Sequence, residues 1–192
     1  MKIGILGAGN VGQALGQGWT AAGHEVKYGT RQPGSVEEAI AFGEVVVLAT
    51  PWDATEYILG GRNLAGKILL DATNPIAPGL SGLTHGMTDS GGEQVARWAP
   101  GARVVKIFNT IGANMMTDPV IQGQAASMLY CGDDAAANSV AAQLASDLGF
   151  DPIYAGPLTQ ARYLEPLAML WITMALKYSH GREMGFKLLK RN

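Results

Sequence analysis

Along the chain, short apolar runs alternate with stretches in which apolar residues recur every three or four positions. The run KIGIL (2–6) predicts a buried strand. It is followed by a helical stretch to about Ala22, where Gly23 is the expected C-terminal glycine. Residues 25–30 (EVKYGT) predict a second strand and 35–41 a short helix. EVVVLAT (44–50) is continuous and β-branched, the pattern of a strand covered on both faces. KILLDAT (67–73), ARVVKIF (102–108) and SMLYC (127–131) predict further strands, with a short last one at 153–154. Asp133 or Asp134 is expected to cap a helix over 135–148 that ends at Gly149. Residues 74–92 are rich in Gly, Pro, Ser and Thr and read as one long loop, functional or mobile. This alternation predicts an α/β protein with a Rossmann-type, doubly wound, mostly parallel sheet.

The tail follows a different pattern. From Thr159 onward, Leu164, Leu167, residues 169–172, Met174, Ala175, Leu176 and Tyr178 surround most of a helix. So wide an apolar surface must be covered on more than one face, by the domain itself or by a partner chain. A homodimer through this helix is expected.

Composition narrows the class. At 192 residues one domain is expected, and 47% apolar against 16% charged residues excludes a disordered chain. A net charge of −2 gives no basic footprint for nucleic acid. The single Cys131 excludes an intrachain disulfide and a thiolate metal site, and no metal site is expected. The apolar run at 166–176 is shorter than the ~20 residues a membrane span needs. With no secretory signal pattern at residue 1, the expectation is a soluble, cytoplasmic protein.

Candidate chemistry begins at Gly7-Ala8-Gly9-Asn10-Val11-Gly12, directly after the first strand and opening a helix. In this context Gly7 permits a tight turn, Gly9 a close approach to a pyrophosphate, and Gly12 close helix–strand packing. Where an NAD site places an acidic residue, this chain has Thr30 and Arg31, 18 and 19 residues after Gly12. A hydroxyl and a guanidinium suit a 2′-phosphate, so NADP(H) is the expected cofactor. Residues 1–158 are thus expected to form the NADP-binding domain and 159–192 a helical extension.

In open α/β sheets ligands bind beyond the carboxyl ends of the strands. Those ends carry Thr50-Pro51-Trp52, Thr73-Asn74-Pro75 and Asn109-Thr110-Ile111-Gly112. No Lys, His, Asp or Glu follows strands three or five, and Asp71 within KILLDAT reads as structural or orienting. His85 lies in the long loop and reads as a surface residue. A positioned proton donor is missing from this inventory, so no catalytic side chain is expected. A hydride acceptor that needs none, a flavin or deazaflavin ring, fits best.

The segments GAGNVG, GTR, ATPWD, KIFNTIG, YCGDD and AGPLTQARYLEP occur in one order along nearly the whole chain. In these the chain resembles the NADPH-dependent deazaflavin (coenzyme factor-420) reductases and the related cytosolic reductase domain of six-transmembrane metalloreductases. The resemblance implies that Ala8, Gly9, Asn10 and Val11 hold the pyrophosphate, that Thr30 and Arg31 hold the 2′-phosphate, and that Pro51 and Trp52 flank the cofactor. It places Asn74 and residues 109–113 (Asn109 to Ala113) by the nicotinamide and the acceptor, and implies hydride transfer between stacked rings. KIFNTIG is closer to the metalloreductase version, and the loop 76–92 differs from both, which leaves the acceptor open among deazaflavin, FAD, FMN and another compound. Two other readings stand beside this one, an imine or carbonyl reductase of small substrates and a non-catalytic NADPH sensor.

Overall fold

The computed structural model describes residues 1–191; Asn192, the end of the expected extension, lies outside the described residues. The order of elements is β1 (Lys2–Leu6), α1 (Asn10–Ala21), β2 (Glu25–Gly29), α2 (Ser35–Phe42), β3 (Val45–Leu48), α3 (Trp52–Leu59) and β4 (Ile68–Asp71). It continues with α4 (Gly91–Trp98), β5 (Arg103–Lys106), β6 (Val120–Ile121), β7 (Gln124–Ala125), β8 (Ser127–Gly132), α5 (Ala135–Asp147), β9 (Asp151–Tyr154) and α6 (Ala161–Leu176). Seven strands form one sheet in the order β2-β1-β3-β4-β5-β8-β9, and β6 and β7 make a separate hairpin. The strands from β2 to β5 run parallel, as a Rossmann-type sheet requires. Strand β8 runs antiparallel to β5. A parallel return needs a crossover helix, and the connection from β5 to β8 carries only a 3-10 turn and the small hairpin.

Register sets the functional edge. Leu6 pairs with Gly29 and with Leu48, Leu48 with Asp71, and Asp71 with Lys106. The parallel strands therefore end flush, and the residues that follow them emerge on one side of the molecule. Side chains alternate between two helix layers, which is why VVVL of β3 is apolar throughout. Val45 and Val47 join Leu15, Trp19 and Leu144 on one face. Val46 and Leu48 join Ile40, Leu59 and Val95 on the other. The Trp19 indole N–H donates to the Leu144 carbonyl at 2.9 Å and ties α1 to α5.

Three of the four partners at the centre of the second layer are charged. The Lys106 ammonium, fully buried, lies 2.9 Å from Asp71 Oδ2 and 3.1 Å from Glu165 Oε1, and donates to the Thr73 carbonyl at 2.6 Å. Burial acts to discharge this lysine, but the two carboxylates outweigh it and hold its pKa above the ordinary value. Asp71 Oδ1 accepts from the Thr73 N–H and hydroxyl. Glu165 accepts the backbone N–H groups of Gly91 and Gly92, both at 2.9 Å. The second carboxylate thus rests against the positive end of α4.

That arrangement explains the main departure from the sequence reading. Helix α4 begins inside the segment expected to be loop. Gly91 and Gly92 read as flexible, yet they are chosen for close approach: a Cβ at Gly91 would lie 3.0 Å from Glu165 Oε1, and one at Gly92 3.1 Å from the Ala161 Cβ. Ser90 caps the helix, its hydroxyl oxygen accepting from the Glu93 N–H. The rest of the expected loop holds a 3-10 turn (Pro78–Leu80) and a bridge between Ile76 and Leu83. Of the two expected caps, Asp134 caps α5 through the Ala137 N–H, while Asp133 accepts from the Leu158 N–H.

Helix α6 buries Leu164, Ala168, Trp171 and Ala175 against the domain and leaves Tyr163, Leu170 and Leu176 exposed. Among the described residues no helix is long and apolar enough to cross a membrane. Glu165→Ala would leave the Lys106–Asp71 pair short of a partner and the Gly91 and Gly92 N–H groups of α4 without their acceptor. The expected cost is about 3–5 kcal/mol, read as a lower midpoint in urea. A loss below about 1 kcal/mol, the worth of a surface pair, would show that the fold does not depend on this contact.

Candidate active site

The strand order reverses beside β1, since the chain runs from β1 to β2 on one side and returns to β3 on the other. At such a point the loops diverge and a crevice opens at the carboxyl ends. Gly7 turns the chain there with φ +109°, and a Cβ on it would overlap the Ala49 carbonyl. A Cβ on Gly12 would overlap the Gly7 carbonyl. Gly9 differs from both, because nothing among the described residues lies within 4 Å of where its Cβ would stand. It precedes α1 as N-cap with no side-chain hydrogen bond, and the first turn carries no acidic residue. Open space before an uncapped helix start offers the room and the N–H donors that a pyrophosphate requires. Gln13 fixes the turn, donating to the Ala8 carbonyl at 3.0 Å.

At the end of β2, Thr30 donates its N–H to Ser35 Oγ at 2.9 Å and accepts from the Gln32 N–H at 3.2 Å. This small network holds the turn while Arg31 stays exposed. Among the described residues the Arg31 guanidinium enters no ion pair. A fixed hydroxyl beside an uncommitted guanidinium matches the demands of a phosphate monoester.

After β3, Thr50 Oγ1 lies 3.1 Å from Thr55 Oγ1, Pro51 is exposed, and Trp52 opens α3. The Trp52 ring meets His85 edge-on at 5.4 Å between centroids and Trp98 at 5.3 Å. His85 is therefore packed on the crevice rim, not free on the surface, and the long loop folds back over α3 through it.

The ends of β4 and β5 are joined by a pair of carboxamides. Asn74 Nδ2 donates to the Asn109 carbonyl at 3.0 Å, and Asn109 Nδ2 lies 3.2 Å from Asn74 Oδ1 and 3.1 Å from the Leu164 carbonyl. Asn109 is 5% exposed, and among the described residues its Oδ1 has no hydrogen-bond partner. Such an orphaned acceptor is costly to keep unless a ligand donor meets it. Pro75, Thr110, Ile111 and Gly112 are buried, and Ala113 is half-buried. Ile111 packs in the core layer with Leu15 and Trp19. Gly112 lies under Trp171, whose Cη2 would stand 2.8 Å from an added Cβ. Phe108 enters this turn at φ +64°, a left-handed conformation uncommon for a bulky residue and typical of strained functional turns. The sequence carries no signal for Phe108. Glu165 and Lys106, also unread, are marked by single charges inside apolar runs.

The family model for coenzyme F420-dependent NADP oxidoreductases matches residues 2–38. The crystal structure of a candidate F420-dependent NADP-reductase from Arthrobacter sp. FB24 is 35% identical, with a TM-score of 0.91 over 99% of this chain and 100% of that one. The chain belongs to the F420-dependent NADP oxidoreductase family. This member of the family is accordingly an NADP-dependent oxidoreductase. It is also 31% identical over 185 residues to metalloreductase STEAP3 of Rattus norvegicus, matching 88% of this chain and 37% of that protein. The chain thus spans little more than a third of the length of that relative. An Aspergillus terreus imine reductase in complex with NADPH4 shares the fold of the F420-dependent family member, with TM-score 0.66 and 23% identity. The match covers 92% of this chain and 62% of that one.

The three glycines of the first turn separate by experiment. Gly9→Ala meets no obstacle in the protein, so its denaturation midpoint should stay unchanged. Its Kd for NADPH should rise about tenfold or more, since the methyl group would occupy space a pyrophosphate needs. Unchanged NADPH binding would show that the opening serves something else.

Proposed function

We propose that this oxidoreductase passes a hydride between NADP(H) and a flavin-type ring, a deazaflavin of the coenzyme F420 kind or a flavin. The reading rests above all on the ends of β4 and β5. Asn74 and Asn109 face each other there as neutral carboxamides. The nearest ionisable pair, Lys106 and Asp71, is consumed by its own buried network. Neutral amides can orient a nicotinamide and a second planar ring, but they supply no proton. NADPH supplies the hydride when bound, and a ring acceptor takes its balancing proton from water.

In this reading Gly7 to Gly12 cradle the pyrophosphate with the first N–H groups of α1. Thr30 and Arg31 hold the 2′-phosphate. Thr50, Pro51 and Trp52 form the wall of the crevice between adenosine and nicotinamide. Asn74 and Pro75 support the nicotinamide, and the turn 109–113, anchored in the core by Ile111, faces the acceptor, with the Asn109 Oδ1 accepting from a ring amide. No side chain acts as acid or base.

An imine or carbonyl substrate is the second reading. His85, seated on Trp52 at the crevice rim, is placed to serve as the proton donor such a substrate requires. We also propose that two copies associate through the outer face of α6, where Tyr163, Leu170 and Leu176 stand exposed. Leu170→Glu should then convert a dimer to a monomer in sedimentation velocity, and an unchanged particle size would refute the association.

The function is tested by anaerobic oxidation of NADPH and NADH with FAD, FMN, coenzyme F420 and a cyclic imine in turn. Turnover with a ring acceptor and NADPH is expected, and turnover with the imine alone would favour the second reading. In the same assay Arg31→Ala should weaken NADPH by about 1.5–3 kcal/mol while leaving NADH nearly unchanged. Equal losses for both would remove Arg31 from the 2′-phosphate.

A further inference from the structure

Beside the crevice, a groove of about 270 Å³ runs along the flank of α1. Asn10, Gln13 and Gln17 form one wall, spaced three and four residues apart on a single helical face. Asn114 and Arg182 form the other. The groove shares Asn10 with the phosphate turn and Ala113 with the proposed acceptor side. Its lining holds four carboxamides, one guanidinium and no carboxylate. Carboxamides both donate and accept, which suits hydroxyl groups along a flexible chain, and a guanidinium pairs with one phosphate through two N–H groups. The volume is below the range that encloses a whole ring ligand, and it fits a side chain of one.

Arg182 is positioned by its main chain. Asn114 Nδ2 donates to the Arg182 carbonyl at 3.2 Å, and the Trp171 indole N–H donates to the Met184 carbonyl at 3.0 Å. Further on, Ser127 donates its N–H to the Phe186 carbonyl at 2.8 Å, and Lys187 pairs with Asp151 at 2.6 Å. The segment 182–187 is therefore strapped to the domain, although it carries no helix or strand. Trp171 packs on Gly112 and also holds this strap, so the acceptor-side turn and Arg182 are fixed by the same indole. Among the described residues the Arg182 guanidinium enters no ion pair.

We propose that this groove receives the phosphorylated polyol side chain of the hydride acceptor, with Arg182 on the phosphate and the carboxamides on the hydroxyls. The inference rests on the flavin-type acceptor of the preceding subsection, and it adds a specificity determinant that lies outside the dinucleotide crevice. It accounts for a cation in the wall of a polar groove that the cofactor's own phosphates, served by Gly9 and Arg31 in the proposed function, leave unused.

The test is equilibrium binding to the full chain loaded with NADP⁺, followed by fluorescence of the ring. FMN is compared with riboflavin, and coenzyme F420 with its unphosphorylated deazaflavin core. Wild-type protein should bind the phosphorylated member of at least one pair about tenfold more tightly or better. Arg182→Ala should abolish that preference and leave the unphosphorylated member and NADPH unchanged. Arg182 is exposed, so the variant is expected to fold. No preference in the wild type, a preference that survives the substitution, or weakened NADPH binding in its place would each overturn the subsite while leaving a ring acceptor intact. Failure of all four ring compounds to bind would overturn the acceptor reading and the subsite together.

Discussion

The Lys106 ammonium is the contact on which the site end of this fold depends. Four separate parts of the chain converge on it or on its carboxylates: the end of β4 through Asp71 and Thr73, β5 through Lys106 itself, the start of α4 through Gly91 and Gly92, and α6 through Glu165. None of these charges is tolerable alone at that depth, because an unpaired buried ion costs several kcal/mol. Each element must therefore be in place for the others to be. The carboxamides of Asn74 and Asn109 stand three residues beyond Asp71 and Lys106 and inherit that rigidity. Asn109 also donates to the Leu164 carbonyl, next to Glu165, so α6 is tied to the ends of β4 and β5 by two adjacent residues.

A network of this kind also separates structural charge from chemical charge. Lysine and aspartate near the carboxyl ends of strands are ordinary sites for proton transfer, and by position alone Lys106 and Asp71 would qualify. Their burial and mutual saturation take them out of that role. What remains at the ends of β4 and β5 is a neutral surface of amides and backbone.

The apolar strands and the phosphate turn were legible because each obeys a local rule. Continuous β-branched residues at 45–48 report a sheet covered on both faces, and the turn at Gly7 to Gly12 reports close approach of backbone to backbone. Elements set by distant partners were not legible. Helix α4 begins with two glycines whose smallness answers Pro75, Ala161 and Glu165, residues far away in sequence. The strap at 182–187 has no periodicity, since main-chain bonds to Asn114, Trp171 and Ser127 hold it. His85 looks like a loop residue until Trp52 is brought beneath it. The antiparallel turn of β8 follows from a connection without a crossover helix, which composition does not announce.

The flush ends of the parallel strands make the sheet a ruler. From β2 to β5 there are four interstrand gaps of about 4.8 Å, so Arg31 and Asn109 mark points roughly 19 Å apart along one edge. On the proposed function, a dinucleotide laid along that edge would meet side chains at its two ends that share no contact. Changes at the Arg31 end, the proposed phosphate side, would then accumulate without disturbing the geometry at the Asn109 end, the proposed acceptor side.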